Sequence, residues 1–189
     1  MKIFKLIDGL SNVRRWSHAY CHKPESVLEH TAVVSIIALA IGSHCSEEVN
    51  TAKLLARSLL HDMEEVVTGD IPNPTKYHNS RISAEIKEFE DIAAQEIAEM
   101  YFGDWAYTTW RSAKDTSIEG EIVRIADAAA VVIKIQQEKA LGNNAFKAFE
   151  ENVWNSLLDI KQNITNLCLI PFIHDLMDTL TGEINDGNT

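Results

Sequence analysis

From Ser26 to Ile41 the sequence places Val33, Val34, Ile36, Ile37, Leu39, Ala40 and Ile41 on most sides of any helix it can form. A helix that is apolar all round has no face to give to water, so this spacing predicts a buried one. Ser26-Val27-Leu28-Glu29 supplies its start in the form of a capping box, a hydroxyl followed three residues on by a carboxylate. His30 falls in the first turn, where a buried imidazole needs a partner; a hydrogen-bonded core histidine and a metal ligand both fit there.

The rest of the chain also follows helical spacing. Phe4, Leu6, Ile7 and Leu10 mark a short helix from Ile3 to Leu10. After a polar break from Gly42 to Asn50, Asn50 or Thr51 can cap a helix whose apolar face is Ala52, Leu54, Leu55, Ala56, Leu59 and Leu60. Ser80 is the expected cap of a long amphipathic helix through Ile82, Ile86, Phe89, Ile92, Ala93, Ile97 and Met100. Its Glu85, Lys87, Glu88, Glu90, Asp91 and Glu96 make a solvated face. Gly103 to Lys114 reads as irregular; its Trp105, Tyr107 and Trp110 suit a lid, an oligomer contact or, better, packing on the body of the domain. A further helix spans about Ser117 to Leu141 and stops at Gly142. Two more run from about Asn144 to Asp159 and from Leu167 to Leu180, with Pro171 kinking or starting the last. No stretch shows strand alternation. The expectation is one all-α domain over residues 1–189, with about 181–189 as a frayed tail.

Length and composition agree with that reading. The 189 residues, 46% hydrophobic and 24% charged, suffice for one globular core. A net charge of −11 excludes a surface for nucleic-acid polymers, which need clustered Lys and Arg, but leaves room for a small phosphorylated substrate. Cys21, Cys45 and Cys168 are few and far apart, as core thiols in a reducing compartment are. Asp8 and Gly9 interrupt any apolar signal region, and the run from Ala32 to Ile41 is too short to cross a bilayer. A cytoplasmic protein with no membrane partner is expected.

The densest ionisable chemistry is His61-Asp62, at the end of the apolar run that closes with Leu59-Leu60. Imidazole and carboxylate together suit a divalent metal of borderline hardness. Adjacent helical residues point about 100° apart, so the two reach one ion only if it lies between their directions. Glu65 is four residues after His61 and falls on the same side of a continued helix. From Thr68 to Pro74 the chain must leave the helix, because Gly69, Pro72 and Pro74 oppose it; Lys76 and Tyr77 extend this rigid loop. Asn12 to His18 is a basic and aromatic cluster just ahead of His30. Asp127 lies among alanines, where an unpaired charge is costly; a metal, an arginine or a helix cap would each satisfy it. A second pair, His174-Asp175, lacks the following Glu and the Gly-Asp loop and reads as incidental.

The order His30, then His61-Asp62, then a distant Asp127 resembles the signature of the HD-domain metal-dependent phosphohydrolases. Within that superfamily the chain is similar to the bacterial 5′-deoxynucleotidases. The matching stretches are Arg15-Trp16, Ser26 to His30, His61-Asp62 with Glu65, Thr68 to Tyr77, Ile125 to Ala128, and the Gly142-Asn143-Asn144 turn. They extend over residues 3–180, and Gly-Asp-x-Pro-x-Pro-x-Lys-Tyr is the most specific of them.

The resemblance implies a single HD-domain helical bundle in which His30, His61, Asp62 and Asp127 hold one divalent ion: Mn, Co, Zn or Mg. It implies catalytic roles for Glu65, Arg15 and Asp62, with Glu65 orienting or deprotonating the attacking water. Arg15 would clamp the phosphate. Arg14 precedes it, and adjacency to Trp16 favours Arg15. Trp16 would pack on the sugar and exclude a 2′-hydroxyl; Asp70, Ile71, Pro72, Asn73 and Lys76 would complete the substrate contacts. A homodimer or higher homo-oligomer is also implied.

The expected reaction is hydrolysis of 2′-deoxynucleoside 5′-monophosphates to deoxynucleoside and phosphate. The alternative is a triphosphohydrolase like the phage dATP enzymes of similar motifs, releasing inorganic triphosphate. That reading needs room and positive charge beyond the α-phosphate, for which Arg14, His18, His22, Lys23, Lys76 and Arg81 are candidates. A nucleotide-binding regulatory HD domain is a third reading; loss of a ligand or of the Glu would mark it, and all are present.

Overall fold

The computed structural model describes residues 3–182. Ten α-helices follow one another among them: α1 (Ile3–Asn12), α2 (Val27–His44), α3 (Thr51–Leu60), α4 (Glu65–Thr68), α5 (Asn73–Lys76), α6 (Ser80–Tyr101), α7 (Asp104–Arg111), α8 (Ile118–Ala140), α9 (Glu150–Asn163) and α10 (Ile170–Thr181). Short 3₁₀ turns at Asn144–Phe149 and Leu167–Leu169 lead into the last two. Strand pairing among the described residues is limited to one bridge between Arg14 and Ser26.

The capping box at the head of α2 forms as expected: Ser26 Oγ accepts from the Glu29 amide (3.2 Å) and Glu29 Oε2 from the Ser26 amide (2.7 Å). Asn50 caps α3. Three local expectations change. The cap of α6 is Asn79 rather than Ser80, its Oδ1 accepting from the Ile82 amide at 3.0 Å. The Asn73–Lys76 part of the expected loop is a turn of helix, because Pro72 and Pro74 fall at and just inside its start, where no amide hydrogen is required. Gly103, at φ +91°, lets the chain restart at once, so the aromatic stretch becomes α7 rather than irregular chain.

α2 and α8 pack on each other and α3 lies against both. The larger core gathers Val34, Ile41, Leu54, Ile122, Ile125, Ile135, Phe146, Leu157 and Ile173. A second core collects Leu6, Leu10, Val27, Leu60, Met63, Ile97 and Ala98. Each fully buried aliphatic side chain contributes about 1.5–3 kcal/mol. α2 is only half enclosed. Val27, His30, Thr31, Val34, Ser35, Ala38 and Ile41 face inward, whereas Ile36 and Leu39 are exposed. At 18 residues and a mean hydropathy of 1.5 it has the length and composition of a membrane span, more than the Ala32–Ile41 run suggested; in this fold its inner side is the seam of the bundle.

The solvated face expected on α6 is partly engaged. Glu90 pairs with Lys76 at 2.7 Å and Asp91 accepts from the Tyr107 hydroxyl at 2.8 Å. Conversely, Phe89, Ile92 and Met100 of the expected apolar face are exposed. The cysteines are half-buried, with Cys45 and Cys168 Sγ atoms 2.7 Å apart. His174 and Asp175 are exposed on α10, away from the core. The expected frayed tail falls almost wholly on residues 183–189, outside the described residues.

Candidate active site

The chain leaves α3 at Leu60 and restarts a helix at Glu65. Between them it makes tight turns, with the Met63 amide donating to the Leu60 carbonyl and the Glu65 amide to that of Asp62, both at 3.2 Å. This break lets two adjacent side chains converge, which a continuous helix resists. Asp62 Oδ2 stands 3.1 Å from His61 Nε2 and 3.6 Å from His30 Nε2. His61 Nδ1 donates to the Ser58 carbonyl at 2.7 Å, so its Nε2 carries the lone pair and points inward. His30, one turn into α2, has Nε2 3.0 Å from Asp127 Oδ1 on α8.

Donor atoms of His30, His61 and Asp62 all lie within 4.8 Å of one another. Asp127 adjoins this trio through His30, while its other oxygen, Oδ2, receives Lys114 Nζ at 2.5 Å. Neither inward Nε2 of the two buried histidines makes a well-directed hydrogen bond. Burial, and then the Arg15 charge, push His30 below its usual range and keep it a neutral donor. Two neutral imidazoles beside a carboxylate fit a divalent cation.

Arg15 enters from the loop after α1, largely buried where Arg14 is exposed. Its Nη1 lies 3.3 Å from Asp62 Oδ2, 3.6 Å from Asp70 Oδ1 and 4.0 Å from Glu65 Oε2, and its Nε lies 3.7 Å from Glu25 Oε2. Burial works against this charge, but the surrounding carboxylates hold it firmly ionised. Glu65 faces the trio with Oε2 buried and without a hydrogen bond; burial, with Asp62 adding repulsion, pushes its carboxyl up to about 10. Glu64 is raised to about 8 by the same two causes, although Trp110 Nε1 donates to it at 2.6 Å.

Two cavities border these groups. The smaller, about 150 Å³, is lined by Arg15, Trp16, Asp70, Ile71, Pro72 and Asn73 together with Phe149 and Asn152. Trp16 is the only non-glycine at positive φ (+63°) among the described residues. Its amide donates to Asp70 Oδ2 (3.1 Å), its indole to Glu25 Oε2 (3.2 Å), and its ring packs on Phe146 and Phe149 with centroids 5.1 and 5.3 Å away. The larger cavity, about 840 Å³, opens on His61 and Asp62 with Glu64, Lys76 and Lys114 in its walls. Lys76, expected among the substrate contacts, therefore faces away from the Trp16 pocket and pairs with Glu90.

Sequence reasoning missed Glu25, Glu64, Phe149 and Lys114. Glu25 and Glu64 adjoin residues it did single out. Lys114 closed a stretch read as irregular, and nothing local distinguishes it from a solvated turn lysine.

This helical arrangement is that of the HD-domain phosphohydrolases. One from Listeria innocua matches with a TM-score of 0.73 at 24% identity, over 99% of this chain and 98% of its own. The cyanophage S-2L HD phosphohydrolase, in a structure that holds dA and one catalytic Zn²⁺, matches with a TM-score of 0.65 at 16% identity, over 96% and 98%. Residues 2–177 carry the sequence pattern of the YfbR-like 5′-deoxynucleotidases, and the chain belongs to that family. A 5′-deoxynucleotidase of Yersinia pseudotuberculosis is 30% identical over 162 residues, 82% of each chain. The protein is thus a hydrolase of phosphoric esters, and a divalent metal ion goes with the group at His30, His61 and Asp62.

Proposed function

We propose that the chain hydrolyses 2′-deoxynucleoside 5′-monophosphates to deoxynucleoside and phosphate, with His30, His61, Asp62 and Asp127 holding one divalent ion. One observation carries the reading: two inward imidazole nitrogens without a directed partner stand beside Asp62, which in turn lies 3.3 Å from a buried guanidinium at the edge of the Trp16–Asp70 pocket. The ion, when bound, supplies polarisation of a phosphoryl oxygen and a more acidic water. Imidazole donors favour Mn, Co or Zn over Mg, which prefers an all-oxygen shell.

The chain's own groups do the rest. Arg15 offers its fork of N–H donors to the phosphoryl oxygens. Glu65, 4.0 Å from Arg15, takes the proton of the attacking water as that water bonds to phosphorus and the phosphorus–5′-oxygen bond breaks. The proton is then returned to the departing 5′-oxygen to give the hydroxyl. Positive charge arriving beside Glu65 opposes the burial and repulsion that raise it, and so readies it as a base. Trp16 and the Asp70–Asn73 segment close on the sugar, where the indole leaves no space for a 2′-hydroxyl. A homo-oligomer and a cytoplasmic location belong to the same reading; Trp105, exposed on α7, is available for a contact, whereas Trp110 is engaged internally.

The triphosphate alternative is weaker. The large cavity has the room, but apart from Lys114 beside Asp127 its Lys76, Lys87 and Arg111 stand among Glu64, Glu90, Asp91 and Asp115, so it offers no further positive charge for a second and third phosphate. Product analysis on a panel of deoxy- and ribonucleotides, with and without chelator, tests the reading. Phosphate from deoxynucleoside monophosphates, abolished by chelation and restored by Mn²⁺, Co²⁺ or Zn²⁺, is expected. Inorganic triphosphate from dATP as the main product, or turnover that survives complete metal removal, would overturn it.

A further inference from the structure

The turn between α7 and α8 is held more firmly than a connection requires. Buried Arg57 grips Asp115 with both prongs, Nη1 to Oδ1 at 2.8 Å and Nη2 to Oδ2 at 2.7 Å. Ser117 donates to Asp115 Oδ1 from its amide (3.0 Å) and its hydroxyl (2.5 Å). Arg124 Nη2 donates to the Lys114 carbonyl at 2.6 Å. Gly120 lets α8 come close: a Cβ there would stand 2.5 Å from the Asp115 carbonyl oxygen and 2.7 Å from its amide nitrogen. Ala113, on the other flank, is buried. The backbone on both sides of Lys114 is therefore fixed, and the side chain it presents ends 2.5 Å from Asp127 Oδ2, in the wall of the large cavity.

A phosphate brought to this site meets a strongly negative environment. Arg15 alone already answers to Asp62, Glu65, Asp70 and Glu25, all within 4.0 Å. One cation shared among three carboxylates and the Glu65 carboxyl is a poor sole anchor for a dianion. Lys114 is the other cation at the ligand group, and it lines the large cavity rather than the one bordered by Arg15 and Trp16. We propose that Lys114 is the second cation of a phosphate clamp, holding non-bridging phosphoryl oxygens from the large cavity while Arg15 holds them from the nucleoside side. This rests on the phosphomonoesterase reading above.

K114M and K114R test it against a merely structural ion pair to Asp127. Metal content, binding of inorganic phosphate to the metal-loaded protein by calorimetry, inhibition by a deoxynucleoside, and KM and kcat on a deoxynucleoside monophosphate are measured for each. K114M should weaken inorganic phosphate and raise KM by about 10- to 100-fold, the worth of one charge-assisted hydrogen bond. Its deoxynucleoside inhibition and metal content should stay within about twofold of wild type, and K114R should recover much of the phosphate affinity. K114Q gives the same readout should K114M fold poorly. Unchanged phosphate binding, equal weakening of phosphate and deoxynucleoside, or loss of the metal would each overturn the clamp. If the wild type released phosphate from no deoxynucleotide, the parent reading would fail, while direct phosphate binding would still judge Lys114.

Discussion

Glu138 and Glu65 are both carboxylates enclosed by a helical bundle, and they are treated in opposite ways. Glu138, fully buried on α8, accepts four hydrogen bonds: from the His22 and Lys23 amides (2.8 and 3.0 Å), Lys134 Nζ (2.7 Å) and Asn143 Nδ2 (2.8 Å). Against the cost of burial, those partners hold its carboxyl at about 2. Glu65 has a buried oxygen with no hydrogen bond and a carboxyl pushed up to about 10. A satisfied buried charge fixes structure, here pinning the 22–23 loop and the Gly142 turn to α8. An unsatisfied one waits for something the chain does not supply.

The largest test of this contrast is Glu65→Gln. It should lower kcat by about 10²–10⁴, the usual worth of a positioned acid–base group, while leaving thermal stability unchanged or raised. A variant with normal turnover would remove Glu65 from the chemistry. Glu138→Ala should do the converse. It leaves Lys134 buried with only the Lys23 carbonyl as partner, and should cost about 3–5 kcal/mol in denaturant unfolding. A loss below about 1 kcal/mol would mean that the cluster is no more than a surface pair.

The smallest and most diagnostic effect is in pH. Glu138 lies below its unfolded value of about 4.3, so its stabilisation is complete above that pH and is lost as pH falls from there toward 2. Glu65 lies above its unfolded value, so the folded chain keeps a proton that the unfolded one gives up. Its contribution is therefore lost as pH rises from about 4.3 toward 10. In chelated protein, Glu138→Gln should flatten the acid limb of the stability curve and Glu65→Gln the neutral-to-alkaline one. Two variants with the same pH profile as wild type would show that neither carboxyl is perturbed as described.

What the sequence disclosed was whatever short spacing encodes. The capping box at Ser26 and the cap at Asn50 were legible because their partners lie three residues away. Glu65 lay on the side of His61-Asp62 for the same kind of reason, although the chain reached it through a break rather than a continued helix. Asn79 was displaced by Ser80 as a cap because two good capping residues were adjacent, and backbone geometry chooses between them. Lys114–Asp127, Lys76–Glu90 and Trp110–Glu64 were invisible. Each joins residues that are neighbours only once helices have packed, and a lysine or glutamate reads as solvated until then. The exposed apolar residues of α6 and the exposed flank of α2 were misjudged likewise: periodicity says which residues share a face, not how many faces are covered.

Asp70 is a single residue with two obligations. One oxygen receives the amide of Trp16, whose left-handed backbone costs on the order of 1–3 kcal/mol and needs such a tether; the other lies 3.6 Å from Arg15. In the function proposed above, the loop that would shape the sugar pocket and the side chain that would grip phosphate are thereby geared to one carboxylate. Sugar choice and phosphate alignment could then not be tuned as independent traits, because any change at Asp70 would turn both dials together.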